Sequence, residues 1–308
     1  MNGKKAFLFA GQGSQYPGMG KDLYEQFDTA RQYFNQAEEI IPGLKKVCFE
    51  GPDEELRLTK FTQPGIFTVS CILDHLLKEK GLKPDSTAGF SLGEYSALYS
   101  AGVFDFSTGI RLVKVRGEAM NRASEKNPGT MAAVLNLEDK VVEDVCQEIT
   151  RSGDLVKAVN YNSPGQLVIS GTEKGIERAV EVLKSKGARR AVILPVSGAF
   201  HSPLMADARD DLQKAIEGSV LHQPSMPVVM NVTGKEVRDL DQIKELMIKQ
   251  LVSPVLWKHS VQHLISLGVS GFYELGPGKV LSGFMKNINK DMSIRNFQNS
   301  GDLKEPVI

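Results

Sequence analysis

Ser91 stands between two glycines in Gly89-Phe90-Ser91-Leu92-Gly93, the spacing that a nucleophile elbow requires. Glycines on either side allow a turn tight enough to lift the hydroxyl clear of the backbone. The next amide, that of Leu92, then faces a developing oxyanion. The chemistry would be acyl transfer through an acyl-serine. A plainer pattern fits the same residues. Ser91-Leu92-Gly93-Glu94 reads as S-x-x-E, a capping box that merely starts a helix. With 29 glycines among 308 residues, the pentapeptide alone leaves both open.

A serine nucleophile needs a base, and five histidines are available: His75, His201, His222, His259 and His263. His75 falls in a helical run and His222 in a proline-flanked loop. His259 and His263 are four apart but lack the H-E-x-x-H glutamate and a third ligand, so no metal is expected. His201 lies in Ser197-Gly198-Ala199-Phe200-His201-Ser202-Pro203 and is the candidate base, although a structural turn histidine fits that position equally. Gly11-Gln12-Gly13 follows a short apolar run. The third glycine of a dinucleotide fingerprint is replaced by Tyr16, and no P-loop exists, so no nucleotide cofactor is expected. The segment is either a second oxyanion donor or a tight strand-to-helix turn.

Arg116 is the third unusual residue. Leu112, Val113 and Met120 lie at i−4, i−3 and i+4, which puts the guanidinium on the apolar face of its helix. A buried arginine is costly unless paired. Its partner is either an internal carboxylate or a carboxylate on the substrate, gripped by the planar fork.

The elements that must position these groups alternate between strand-like and helical runs, which predicts an α/β fold. Residues 6–9 read as a buried strand, and 64–77 and 92–101 as helices. Between 129 and 197 the order is strand 131–135, helix 138–150, strands 156–159 and 167–169, helix 175–186 and strand 191–194. This β-α-β-β-α-β order is the ferredoxin-like split unit. It predicts a small subdomain over 129–197, inserted into a large one formed by 1–128 and 198–308, with a cleft at the junction. Lys+Arg and Asp+Glu are both 37, so no net field argues for nucleic acid or an anionic membrane. Three scattered cysteines and only a short apolar run near the start point to a cytoplasmic protein that does not span a membrane.

Taken together, the motifs resemble those of the malonyl-CoA:acyl carrier protein transacylase family over residues 7–286. The resemblance rests on Gly11-Gln12-Gly13-Ser14-Gln15, Thr62-Gln63-Pro64, the Ser91 segment through Leu98, and Arg116-Gly117-x-x-Met120. It continues through Asn162-Ser163-Pro164-Gly165-Gln166, Gly198-Ala199-Phe200-His201-Ser202 and Glu274-Leu275-Gly276-Pro277-Gly278-Lys279. It implies an α/β-hydrolase-like large subdomain carrying the ferredoxin-like one. Ser91 would be the nucleophile and His201 its base, oriented by the main-chain carbonyl of Gln250. Gln12 and Leu92 would form the oxyanion hole, and Arg116, Phe200, Phe90 and Asn162 would bind the substrate. Malonyl-CoA and the phosphopantetheine arm of an acyl carrier protein would be the reaction partners of a monomer that uses no cofactor.

Two positions qualify the resemblance. Phe200, a bulky residue before the histidine, implies malonyl over methylmalonyl. Phe90 stands where the family commonly has histidine, which keeps a trans-acting polyketide acyltransferase and a proofreading thioester hydrolase as alternatives. A catalytically silent carrier-binding module is opposed by the joint presence of Ser91, His201 and Arg116. The basic run Lys186, Arg189 and Arg190 is either a contact for an acidic carrier or an ordinary solvated cluster.

Overall fold

The computed structural model describes residues 3–304, so Met1, Asn2 and the last four residues of the expected 198–308 segment lie outside it. Ten strands form two sheets: β1 (Lys4–Phe9), β2 (Ser86–Gly89), β3 (Thr130–Leu135), β4 (Val156–Ser163), β5 (Gln166–Gly171), β6 (Arg190–Ile193), β7 (Val228–Met230), β8 (Lys235–Val237), β9 (Val269–Leu275) and β10 (Ile294–Phe297). The larger sheet has the order β10-β9-β1-β2-β7-β8 and is parallel except for β8 at one edge.

The apolar run Ala6-Phe7-Leu8-Phe9 is buried because helices cover both faces of this sheet. Phe7 and Phe9 enter one core, and Ala6 and Leu8 enter the other. Parallel pairing in the register Phe9↔Gly89 ends β1 and β2 side by side. The loops holding Gln12 and Ser91 therefore leave the sheet as neighbours, at the carboxyl edge where open α/β sheets bind ligands.

The smaller sheet is antiparallel, in the order β4-β5-β3-β6. One face packs Ala132, Val134, Leu167 and Ile169 against the helices Asp139–Arg151 and Glu173–Ser185. Its other face turns Met131, Val159 and Val168 into the main core. Strand β4 is also tied to the large sheet's side of the molecule. Tyr161 N–H donates to Val255 O at 3.0 Å and Val255 N–H to Val159 O at 2.7 Å.

One helix begins earlier than its sequence predicts. It spans Thr59–Glu79, with Pro64 inside it. The five residues before the proline take helical form because Phe61 and Thr62 bond back to Leu58 O, and the Thr62 hydroxyl reaches Leu56 O. Pro64 forfeits only its own amide bond. The helix Gly93–Ser100 follows the Ser91 turn, and Phe106–Lys126 carries Arg116. Among the described residues no helix is long and apolar enough to cross a membrane.

Candidate active site

The turn after β2 owes its shape to two close approaches. A Cβ on Gly89 would lie 1.9 Å from Gly93 main-chain atoms, and one on Gly93 would lie 2.1 Å from Phe9 O. Both positions need glycine for space. The left-handed backbone falls on Ser91 itself, at φ 51°. Among the described residues only Ser91, Asn136 and His201 combine a side chain with positive φ, so two of three such sites are the candidate nucleophile and base. The capping box does not form: Leu92 occupies the N-cap, and the Ser91 amide donates to Asn231 Oδ1 at 2.7 Å rather than to Glu94.

Ser91 Oγ lies 2.8 Å from His201 Nε2, and His201 Nδ1 lies 2.9 Å from the Gln250 carbonyl. A carbonyl only accepts, so Nδ1 carries the proton and Nε2 is free to take one from Ser91. Burial, reinforced by the Arg116 charge, lowers His201 to about 4, which keeps the imidazole neutral at ordinary pH. The Gln12 and Leu92 amides have no partner among the described residues, and each follows a strand ending beside the other. They are candidate oxyanion donors on that ground.

Arg116 is fully buried. Its guanidinium donates to Gln63 Oε1 at 2.7 Å, Gln250 Oε1 at 2.9 Å and Ser91 Oγ at 3.2 Å, and it lies over the Tyr95 ring. All three oxygens are neutral, and Nε has no partner. A cation held this way keeps its attraction for an incoming carboxylate. Burial lowers its pKa, opposed by Tyr95 and Glu94. Glu94, also fully buried, accepts from Gln250 Nε2 at 2.9 Å and from Asn231 N–H at 2.5 Å. Desolvation pushes it up to about 8 against those two bonds and Arg116.

Ser91 and His201 open onto a cavity of about 110 Å³ lined by Gln12, Gln63, Phe90, Met120, Met131 and Asn160, with Leu194, Val196 and Phe200 also in its wall. Its walls come from both sheets' neighbourhoods, as a cleft at their junction requires. Phe90 leans edge-on against Trp257 and packs on Phe284. Asn162 is buried with its Oδ1 unpartnered and does not line this cavity. Two residues earlier, Asn160 does.

The structure thus brings Ser91, His201, Gln250, Gln12, Leu92, Arg116, Phe90 and Phe200 together. Sequence reasoning assigned no part in the chemistry to Gln63, Asn160 or Asn231, and marked Glu94 only as the end of a capping box. Gln63 stood inside a quoted motif, and Glu94 three residues after the serine. Glu274, in another quoted motif, serves a helix instead: it accepts from the Leu281 and Ser282 amides at the start of the helix Val280–Ile288. His259 meets Tyr161, and His75 meets Tyr33 and Glu79.

Residues 6–295 match the acyl transferase domain family. The chain is 46% identical over 288 residues to the malonyl CoA-acyl carrier protein transacylase of Bacillus subtilis, covering 93% of this chain and 91% of that one. It is 41% identical over 285 residues to the protein of the same name from Escherichia coli K12, covering 92% of each. Among solved structures, a malonyl-transacylase in complex with a type II PKS acyl-carrier protein superposes with a TM-score of 0.94 at 38% identity, covering 99% of both chains. The acyl-carrier-protein S-malonyltransferase of Bartonella henselae superposes equally well, at 39% identity over 98% of this chain and 97% of that one.

Proposed function

The chain belongs to the acyl transferase family, and on that premise we propose that it moves a malonyl group from malonyl-CoA to the phosphopantetheine thiol of an acyl carrier protein. The observation that carries this reading is the Ser91 hydroxyl within hydrogen-bond distance of both a neutral imidazole and a buried guanidinium. A base activates the oxygen, and a cation beside it selects an acyl group with a free carboxylate. The acceptor is taken from the relative solved with its acyl-carrier protein.

His201 Nε2 removes the Ser91 proton as Oγ attacks the thioester carbonyl. The Gln12 and Leu92 amides hold the resulting oxyanion. Collapse expels the CoA thiolate, which takes the proton from His201, and malonyl-Ser91 remains. The carrier's thiol then gives its proton to the same nitrogen and attacks the ester, and Ser91 leaves with the proton returned. Arg116 holds the malonyl carboxylate through both halves. The apolar wall of Phe90, Met120, Met131, Leu194, Val196 and Phe200 disfavours water as the second acceptor, which separates a transferase from a hydrolase.

Within the same reading, the larger sheet is α/β-hydrolase-like and residues 129–197 are an inserted ferredoxin-like subdomain. The second-third-first-fourth strand order with two helices on one face supports this. Arg189 and Arg190, beside a groove of about 430 Å³ reaching Asn287, are taken as a contact for the acidic carrier. Asn162 would act on the substrate only outside the cavity. The protein is taken as a cytoplasmic monomer. The deciding experiment incubates the enzyme with malonyl-CoA and locates a malonyl adduct on Ser91 by mass spectrometry. Fatty-acid and polyketide carriers are then added, and the malonyl group is expected on a carrier thiol. No adduct, or release of free malonate in place of transfer, sinks the proposal.

A further inference from the structure

Buried 0% exposed beneath the elbow, Glu94 is a titratable group that the acyl-transfer steps do not use. It touches neither the cavity nor Arg116 directly. Its two carboxylate oxygens each accept from a donor that in turn grips the catalytic turn. Oε1 takes the Gln250 side-chain N–H, and that amide group also donates to Ser91 O at 3.0 Å. Oε2 takes the Asn231 main-chain N–H, while the Asn231 side chain accepts from Ser91 N–H and donates to Gly89 O at 2.6 Å.

The Gln250 side chain is an amide with a donor end and an acceptor end, and which way it faces is decided by its neighbours. Glu94 Oε1 and Ser91 O both demand the donor end. Only then does Oε1 of Gln250 face the Arg116 guanidinium, 2.9 Å away. We propose that Glu94 is a positioning residue that sets the polarity of the Gln250 amide, so that Arg116 is held with its fork presented to a charged acyl group. This deepens the malonyl reading and rests on it.

Two N–H donors meet the two Glu94 oxygens, and only the ionised carboxylate, the form above its pKa of about 8, accepts at both. A glutamine at the same place has one acceptor and one donor end. The main-chain N–H of Asn231 cannot turn, so it keeps the oxygen, and the new NH2 faces the Gln250 donor. Gln250 then reverses, and its NH2 confronts Arg116 with two donors face to face. The anchor for the malonyl carboxylate loosens, whereas an acetyl group, which makes no such contact, loses little by it.

The test compares kcat/KM for malonyl-CoA and acetyl-CoA at about pH 9, where Glu94 is ionised, in wild type, Glu94→Gln, Gln250→Met and the double variant. The malonyl-to-acetyl ratio is expected to fall about tenfold in Glu94→Gln, the loss of one charge-assisted hydrogen bond. Gln250→Met, which removes the reversible amide but leaves Glu94, should lower the ratio similarly. The double variant should fall no further, because both changes break one chain of contacts. A residue that only supports the fold would lower both donors together and leave the ratio alone. An unchanged ratio in Glu94→Gln, or additive losses in the double variant, overturns the proposal. Should Glu94→Gln not fold, an unchanged ratio in Gln250→Met does so by itself. Failure of wild type to form malonyl-Ser91 would instead defeat the parent reading, so the two failures are separable.

Discussion

Arg116 Nη2 stands 3.2 Å from Ser91 Oγ, the oxygen that His201 Nε2 approaches to 2.8 Å. The hydroxyl accepts from the guanidinium and donates to the imidazole, so on the proposed reading the cation is already in place before an acyl group arrives. This answers the question raised by an arginine on an apolar helix face. Its hydrogen-bond partners are two glutamine oxygens and the Ser91 hydroxyl, with no carboxylate among them.

Removing that cation should therefore change selectivity more than it changes catalysis. Arg116→Ala is expected to lower kcat/KM for malonyl-CoA about a hundredfold, the worth of a forked charge-assisted contact. The loss for acetyl-CoA should stay under about tenfold. Steady-state loading assays with both donors check this, and equal losses would mean that Arg116 supports the site without reading the acyl charge.

The neutral His201 predicts an unusual acid limb. Its pKa falls from an ordinary value near 6.5 to about 4, so the base stays active well below the pH at which an exposed histidine is protonated. Single-turnover acylation should lose half its rate near pH 4, and a midpoint near 6.5 would contradict the buried geometry. The same shift has a stability cost of definite sign. Between pH 6.5 and 4 the unfolded chain binds a proton that the folded one refuses, so stability falls as pH drops through that window. From pH 7 to 5 the contribution is about 2 kcal/mol. Urea unfolding of wild type against His201→Gln isolates it, since the variant should lack that part of the pH dependence.

Much of this site is visible in the amino-acid sequence because its members sit in short local patterns. Ser91 and Leu92 fall within one glycine-framed pentapeptide, Gln12 follows a strand, and Arg116 breaks the apolar stripe of its helix. Asn231 is different. It lies 140 residues from the serine it supports, at the end of a three-residue strand, and no spacing marks it. Glu94 was visible only as the end of a capping pattern that the fold does not use. Asn160 and Asn162 differ for another reason. Strict alternation would put both on one face of β4, yet the β4–β5 pairing shifts register between Ala158 and Asn160 and again between Tyr161 and Ser163. Such bulges leave no trace in composition, and they separate an asparagine that lines the cavity from one that does not.

Backbone strain at Ser91 gives a prediction about stability. Ser91 at φ 51° occupies a region that costs a side chain about 1–2 kcal/mol. Ser91→Gly relieves this strain but adds roughly 0.5–1 kcal/mol of unfolded-state entropy. Ser91→Ala keeps the strain and loses the hydroxyl. Both variants should be inactive, with the glycine variant the more stable by about 0.5–1 kcal/mol. Thermal melts of the pair would refute the idea of stored strain if alanine proved the more stable.

Phe200 gives a prediction about acyl size. Its ring lines a cavity of about 110 Å³ together with its neighbour His201, Met120 and Met131. An α-methyl group must find room in that space, and trimming the ring to a branched aliphatic group opens it without adding a polar atom. Phe200→Val is expected to raise kcat/KM for methylmalonyl-CoA relative to malonyl-CoA about tenfold, within the range a single methyl group is worth. The ratio is the useful readout, because the lost packing of a side chain only 7% exposed lowers stability for both donors alike. If the ratio stays at its wild-type value, the limit on acyl size lies elsewhere in the cavity wall and Phe200 is only part of the core.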